Sequence, residues 1–343
     1  MKKIVCIFAL LVVLICSACG KTEVPDITSE DIQEVPDIIS EDIQESNQPN
    51  EGISNIQDAD VAFSDKLTYT NLDSESSISE VRDILTKAGI YTRYVDTVLD
   101  WVTDYNDCMR GCSSFSLVGD FVTIDGTTVD YGDYSPMSTE WYKRNNRNYH
   151  DVLCRIVAFE LIQDNLSISE VIAKENFDCW DENTAWLYTD GDILFGREAV
   201  EGEHKAYDPF PLIDWSDDIV ANYFTLFNPT HIPEECSEQE MFQAIQEKWS
   251  EKGISFKENA FSLITFWTQS GDRICASHAA VLIESDNGYL LFEKTNPESP
   301  YAATKFSSTD EVKQYLYNMM DLEYKKYDSQ IGTYIILQND KLF

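Results

Sequence analysis

Basic residues are scarce in this chain. It carries 25 Lys and Arg against 61 Asp and Glu, a formal net charge of −36. That imbalance excludes nucleic acid as a partner, because phosphate binding needs a basic surface. It also excludes attachment to a membrane through a polybasic patch. The sequence contains no Walker A loop, no GxGxxG after a strand, no GxSxG elbow and no HExxH. Its four histidines stand at 150, 204, 231 and 278, none three or four residues from another, so no local zinc site is spelled out. Asp190-Gly191-Asp192 lacks the distal glutamate of a calcium loop and reads as a turn. No metal and no cofactor is therefore expected. Glycine and proline are few, 14 and 10, while 43% of residues are hydrophobic, which excludes wholesale disorder.

The chain opens MKKIVCIFALLVVLICSACGK. Two lysines precede an apolar run from Ile4 to Ile15, 12 residues, too short to span a bilayer comfortably. Ser17-Ala18-Cys19 follows and resembles the lipobox of bacterial lipoprotein signals, with Cys16 where that pattern prefers Leu. The resemblance implies a signal peptide over 1–18, lipidation of Cys19, and a membrane partner reached through the N-terminal lipid, on the extracellular face. EVPDITSEDIQ (23–33) is repeated at once as EVPDIISEDIQ (34–44), differing only at Thr28 and Ile39. Pro25 and Pro36 stop a continuous helix and the acids repel, so residues 19–65 are expected to form an extended acidic linker. A single domain is expected over 66–343.

Local patterns in that domain predict an α+β fold, a helical first half packed on a mainly antiparallel sheet. Serine three residues before glutamate marks four helix starts, at Ser77, Ser167, Ser237 and Ser308. Gly89 and Gly253 are expected to end the first and third of these. Val95, Val98, Leu99 and Val102 share one face of a helix over 93–104. A broad apolar stripe over 150–164 predicts a helix buried on most sides. Hairpins are expected at 121–129 and 185–196 around Asp-Gly turns, and at 277–295. Residues 260–267 and 333–338 read as further strands.

Six cysteines follow Cys19: 108, 112, 154, 179, 236 and 275. An even number permits disulfides, but the spacings show no small-domain framework. Cys154 stands near the start of the apolar helix, where the positive end of the dipole lowers a thiol pKa. It also fits an ordinary buried cysteine. His278 opens a hairpin strand some 124 residues later, and the returning strand carries Glu293 and then Asn296. The candidate catalytic set is therefore Cys154 as nucleophile, His278 as base, and Glu293 or Asn296 to orient the imidazole. Asn145, Asn146 and Asn148 are the amides at hand for an oxyanion hole. Arg155 is placed to pair with an acid or with the thiolate.

The order Cys, His, polar residue, with His-Ala-x-Val, Gly-Tyr and Lys-x-Asn in the hairpin, resembles papain-like cysteine hydrolases and the NlpC/P60-type cell-wall amidases. The segments 69–90, 102–107, 154–162 and 278–306 resemble the Gram-positive lipoprotein family named domain of unknown function 4300. Leu153-Cys154-Arg155 stands where that resemblance leads one to expect Asn-Cys-Arg. It supports a lipid anchor and a single domain and implies no established activity. Two function classes stay open. One is a membrane-tethered cysteine peptidase or amidase acting on a peptide or cell-wall substrate. The other is a non-catalytic envelope lipoprotein that binds a peptide, glycan or protein partner through its 18 Tyr and 7 Trp. A transporter's solute-binding protein is disfavoured, since alternating βα halves are lacking.

Overall fold

The computed structural model describes residues 65–177, 187–200, 205–326 and 332–343. The lipobox with Cys19, the tandem repeat, Cys179 and His204 lie outside the described residues. The described chain is α+β, eight helices on a mainly antiparallel sheet, as the sequence pattern predicted.

The sheet has nine strands, built mainly from the second half of the chain. Its long members are β6 (Phe261–Ser270), β7 (Arg273–Ser285), β8 (Gly288–Lys294) and β9 (Tyr301–Phe306). β10 (Tyr334–Gln338) pairs with β6 and carries the short β11 (Lys341–Leu342) beyond it. On the far side β9 pairs with β1 (Lys66–Thr70), which pairs with β2 (Val122–Asp125). β4 (Thr230–His231) adds to β7, while β3 (Leu166–Ser167) and β5 (Ser255–Phe256) form a separate pair. The strands expected at 260–267, 277–295 and 333–338 are therefore all present.

Alternation along these strands sends side chains into two cores. Leu263, Val281, Ile283, Phe292 and Ile335 join the core shared with the helices of the first half. Ile264, Ala280, Leu282, Leu291 and Ile336 join a second core, against Val312, Leu316, Met319 and Met320 of the helix Thr309–Lys326. Both faces of the sheet are thus covered, which explains why β6 and β7 read as near-continuous apolar runs.

Helix α1 (Glu75–Lys87) has its N-cap three residues before the expected one. Ser74, not Ser77, accepts the N–H of Ser77 at 3.1 Å. Gly89 follows the C-cap at φ +100°, the left-handed conformation glycine tolerates. Helix α2 (Thr92–Met109) buries Val95, Val98, Leu99 and Val102 as expected, and α3 (Tyr134–Lys143) follows β2. Helix α4 (Cys154–Ile162) is shorter than the stripe suggested, and all nine of its residues are buried.

Three local expectations fail. The Asp-Gly pair at 125–126 closes no hairpin, because Val122–Asp125 finds its partner in β1, some sixty residues earlier. Ser167 starts no helix: it lies in β3, and the N–H groups of Ser169 and Glu170 both donate to Lys252 O at 3.0 Å. Residues 188–195 are not the second half of a hairpin but helix α5 (Tyr188–Phe195), and Asp190-Gly191-Asp192 is helical rather than a turn. Ile193 and Asp190 are wholly buried there, so tertiary contacts override the turn chemistry. Helix α6 (Asp217–Phe227) is next. Helix α7 (Glu238–Glu251) has the full capping box of Ser237 and Glu240 and stops before Gly253. In α8 (Thr309–Lys326) Ser308 Oγ accepts from Glu311 N–H at 3.2 Å, while the Glu311 carboxylate takes Ser307 instead.

Candidate active site

Cys154 is the first residue of α4. Its predecessor Leu153 is the N-cap and supplies no side-chain hydrogen bond. The leading N–H groups of the helix therefore have no side-chain cap, and the positive end of its dipole lies beside the thiol.

The histidine is brought to it by a bulge. Trp267 of β6 pairs with Ala276 and Phe266 pairs with His278, so Ser277 is an extra residue in β7. A bulge bends its strand and re-aims the next side chain. Ala276 O accepts from Arg155 Nη1 at 2.7 Å, which ties the second residue of α4 to the strand just before the bulge. His278 and the Cys154 thiol are close enough that each shifts the ionisation of the other. The Nδ1 of His278 is buried and has no hydrogen-bond partner. The other ring nitrogen, Nε2, lies 2.7 Å from Glu293 Oε2. Ala280 is opposite Glu293 in the register, so His278 and Glu293 are diagonal neighbours, within reach for long side chains. The second carboxylate oxygen of Glu293 accepts the hydroxyl of Tyr315 from α8. The contacts thus run from α4 through two adjacent strands to α8.

Electrostatics follow from that chain of contacts. Burial alone would raise the Cys154 thiol; the nearby His278 and the positive charge of Arg155 outweigh it, and the net shift is downward. Burial alone would lower the His278 pKa; Cys154 and Glu293 reverse it and push it up to about 10. The arrangement favours a thiolate–imidazolium pair with a carboxylate behind it. Cys154, His278 and Glu293 are 3%, 1% and 2% exposed, so the group is enclosed.

Arg155 is fixed from α5 and α6. Its Nε donates to Asp190 Oδ1 at 2.9 Å and its Nη2 to Asp190 Oδ2, and the Tyr223 hydroxyl also donates to Asp190. The arginine therefore pairs with an acid and lends its charge to the thiol as well.

Of the residues singled out from the sequence, Cys154, His278 and Glu293 come together. Asn296 does not join them. Its Oδ1 accepts Ser299 N–H at 3.1 Å and its own N–H donates to Ser299 Oγ at 3.1 Å, so it closes the turn after β8. Asn146 and Asn148 are both exposed, and the Asn148 amide donates to Asp208 at 3.3 Å, whereas Cys154 is buried; the side chain of Asn145 lies outside what is described. Among the described cysteines 108, 112, 154 and 236 are free thiols. Sequence reasoning missed Tyr315 and Asp190. Nothing local marks either one, for each matters only through a contact made far along the chain. No cluster of metal-ligating side chains occurs among the described residues, and no described helix is long and apolar enough to cross a membrane.

The fold and this Cys–His–Glu constellation describe an α+β protein with a buried thiol–imidazole pair. The chain belongs to the family described as domain of unknown function (DUF4300), whose model matches residues 68–343. No curated protein and no solved structure matches the chain.

Proposed function

We propose that this protein is a cysteine hydrolase of the papain-like kind, held at the outer face of the cell membrane by lipid on Cys19 and acting on peptide or amide bonds at the cell envelope. The observation that carries the proposal is one buried cluster: a helix-starting cysteine, a histidine whose ionisation is coupled to it, and Glu293 2.7 Å from that histidine's Nε2. The anchor rests on the lipobox-like Ser17-Ala18-Cys19 and the acidic repeat that follows it.

The chemistry that suits these groups is acyl transfer. The Cys154 thiolate attacks the carbonyl carbon and forms a C–S bond. The uncapped N-terminus of α4 supplies backbone N–H donors for the oxyanion. As the C–N bond breaks, His278 gives its proton to the leaving amine. A water then adds to the thioester, His278 takes its proton, and the acid departs as the sulfur regains its charge. Glu293 keeps the imidazole oriented and its positive charge supported, and Tyr315 holds Glu293. Substrate entry requires outward movement of what encloses the sulfur.

The near-complete burial of all three residues favours one other reading, a binding lipoprotein in which the triad only stabilises the core. The pH dependence of iodoacetamide alkylation at Cys154 separates the two. Rapid labelling of the folded protein at pH 6 that vanishes in His278→Ala supports the hydrolase. Silence until denaturant is added removes it and leaves the binding module.

A further inference from the structure

A second pair of charges is buried beside the triad, and the mechanism above makes no use of it. Lys294 Nζ lies 2.9 Å from Asp151 Oδ2, and both side chains are wholly enclosed. Lys294 is the residue after Glu293, and Asp151 stands three residues before Cys154. The ammonium also donates to Ser299 O at 2.6 Å and lies over the rings of Tyr105 at 3.9 Å and Tyr301 at 4.3 Å. The turn that presents Ser299 O is the one Asn296 closes. Glu298, in the same turn, is a further buried acid acting on Lys294. Neither carboxylate oxygen of Asp151 has a hydrogen-bond partner, so the charge of Lys294 is what answers it.

Stability alone gives little reason for this arrangement. Taking two charges out of water costs several kcal/mol, and well-packed apolar residues of similar volume serve as well or better. What the pair supplies is direction, since an ion pair with a 2.9 Å contact joins two defined points. Those points are the loop that leads into Cys154 and the strand end that follows Glu293. The two segments are far apart in sequence, and the pair ties the approach to α4 to β8 as the Arg155 bond to Ala276 O ties the helix itself to β7.

We propose that Asp151 and Lys294 are positioning residues: their ion pair, backed by the Asn296–Ser299 turn, sets the approach of Cys154 to His278. This rests on the Cys154–His278 pair of the proposed function, and the experiment distinguishes the two. The probe is the ionisation of His278, followed by the Cε1–H resonance of the folded protein over a pH series and assigned with His278→Gln. In the wild type His278 should stay protonated well past pH 8. In Asp151→Leu/Lys294→Met, which replaces the pair by apolar groups, the protein should fold while the His278 midpoint drops by about one unit or more. Asp151→Asn, close to isosteric, is the second variant should the double one not fold, and it should shift the midpoint the same way. A folded variant whose His278 midpoint matches the wild type overturns the positioning role and leaves the triad standing. A wild-type midpoint near the ordinary histidine value overturns the triad, and the positioning role with it.

Discussion

Two buried histidines in this protein ionise in opposite directions. His278 is 1% exposed and pushed up to about 10; His150 is 5% exposed and driven down to about 3. Burial opposes the charged form of both, so burial does not explain the difference. The partners do. His278 Nε2 is 2.7 Å from Glu293, whose other oxygen is held by a neutral hydroxyl. His150 Nε2 is 3.8 Å from Asp192, and Asp192 also lies 3.2 Å from Arg197. The arginine takes the carboxylate's attraction and adds repulsion of its own. His150 Nδ1 is 2.6 Å from the Tyr142 hydroxyl, a neutral group, whereas His278 has an ionisable thiol, Cys154, beside it. A buried imidazole becomes a cation only where a carboxylate is close and no rival cation shares it.

The comparison can be broken or sharpened by experiment. The largest effect should be in acid. His150 has a folded pKa below its unfolded one, so the unfolded chain binds the extra proton first as pH falls. Its stabilising contribution is present above about pH 6.5 and drains away below it, by roughly 1.4 kcal/mol per unit until pH 3. Asp151 and Glu160, pushed up to about 6 and about 7 by burial, take up protons in the folded state over the same range and oppose that loss. The test by urea unfolding is therefore the difference between two proteins: from pH 7 to pH 4 the stability of the wild type should fall relative to His150→Gln, and an equal slope in both would contradict the assignment. His278 alone would make stability fall between about 6.5 and 10, but Cys154 releases a proton in the folded state over the same range. The pair then holds one proton folded or unfolded between about pH 6.5 and 8.5, and contributes no slope there.

Glu293→Gln removes the carboxylate and should lower the His278 midpoint by about two units, read by NMR titration. An unchanged midpoint would mean the thiolate alone sustains the charge. Arg197→Met removes the rival cation beside Asp192 and should raise the His150 midpoint by about one unit, narrowing the gap from the other side. Tyr315→Phe leaves the carboxylate but deletes one hydrogen bond to it, a loss of about 1 kcal/mol in stability. The His278 midpoint should shift by less than in Glu293→Gln; a larger shift would make Tyr315 the dominant support.

The parts legible in the sequence were those decided within a few residues. The capping box of Ser237 and Glu240 is a contact across one helical turn, and Ser285–Gly288 closes the hairpin of β7 and β8 locally. Cys154 at a helix start and Glu293 on the strand beside His278 follow from such local frames. Asn296 misled because it is only three residues past Glu293 and chemically suited to the task, yet a turn after the strand took both its side chain and its N–H. The Asp-Gly pairs at 125–126 and 190–191 misled for a related reason. Each is compatible with a tight turn, but β1 offered the first segment a better partner, and Arg155 and the core drew the second into a helix.

The sequence by itself determined the acidic balance, the absence of a basic face, the α+β order of elements and the residues able to do thiol chemistry. These depend on composition and on periods of two to four residues. Only the tertiary structure decided that Cys154 and His278 meet, that Glu293 rather than Asn296 stands behind the imidazole, and that the surroundings push one buried histidine toward its charged form and the other toward its neutral form. Each of these turns on a distance between groups many residues apart, and low-dielectric electrostatics changes steeply with such distances.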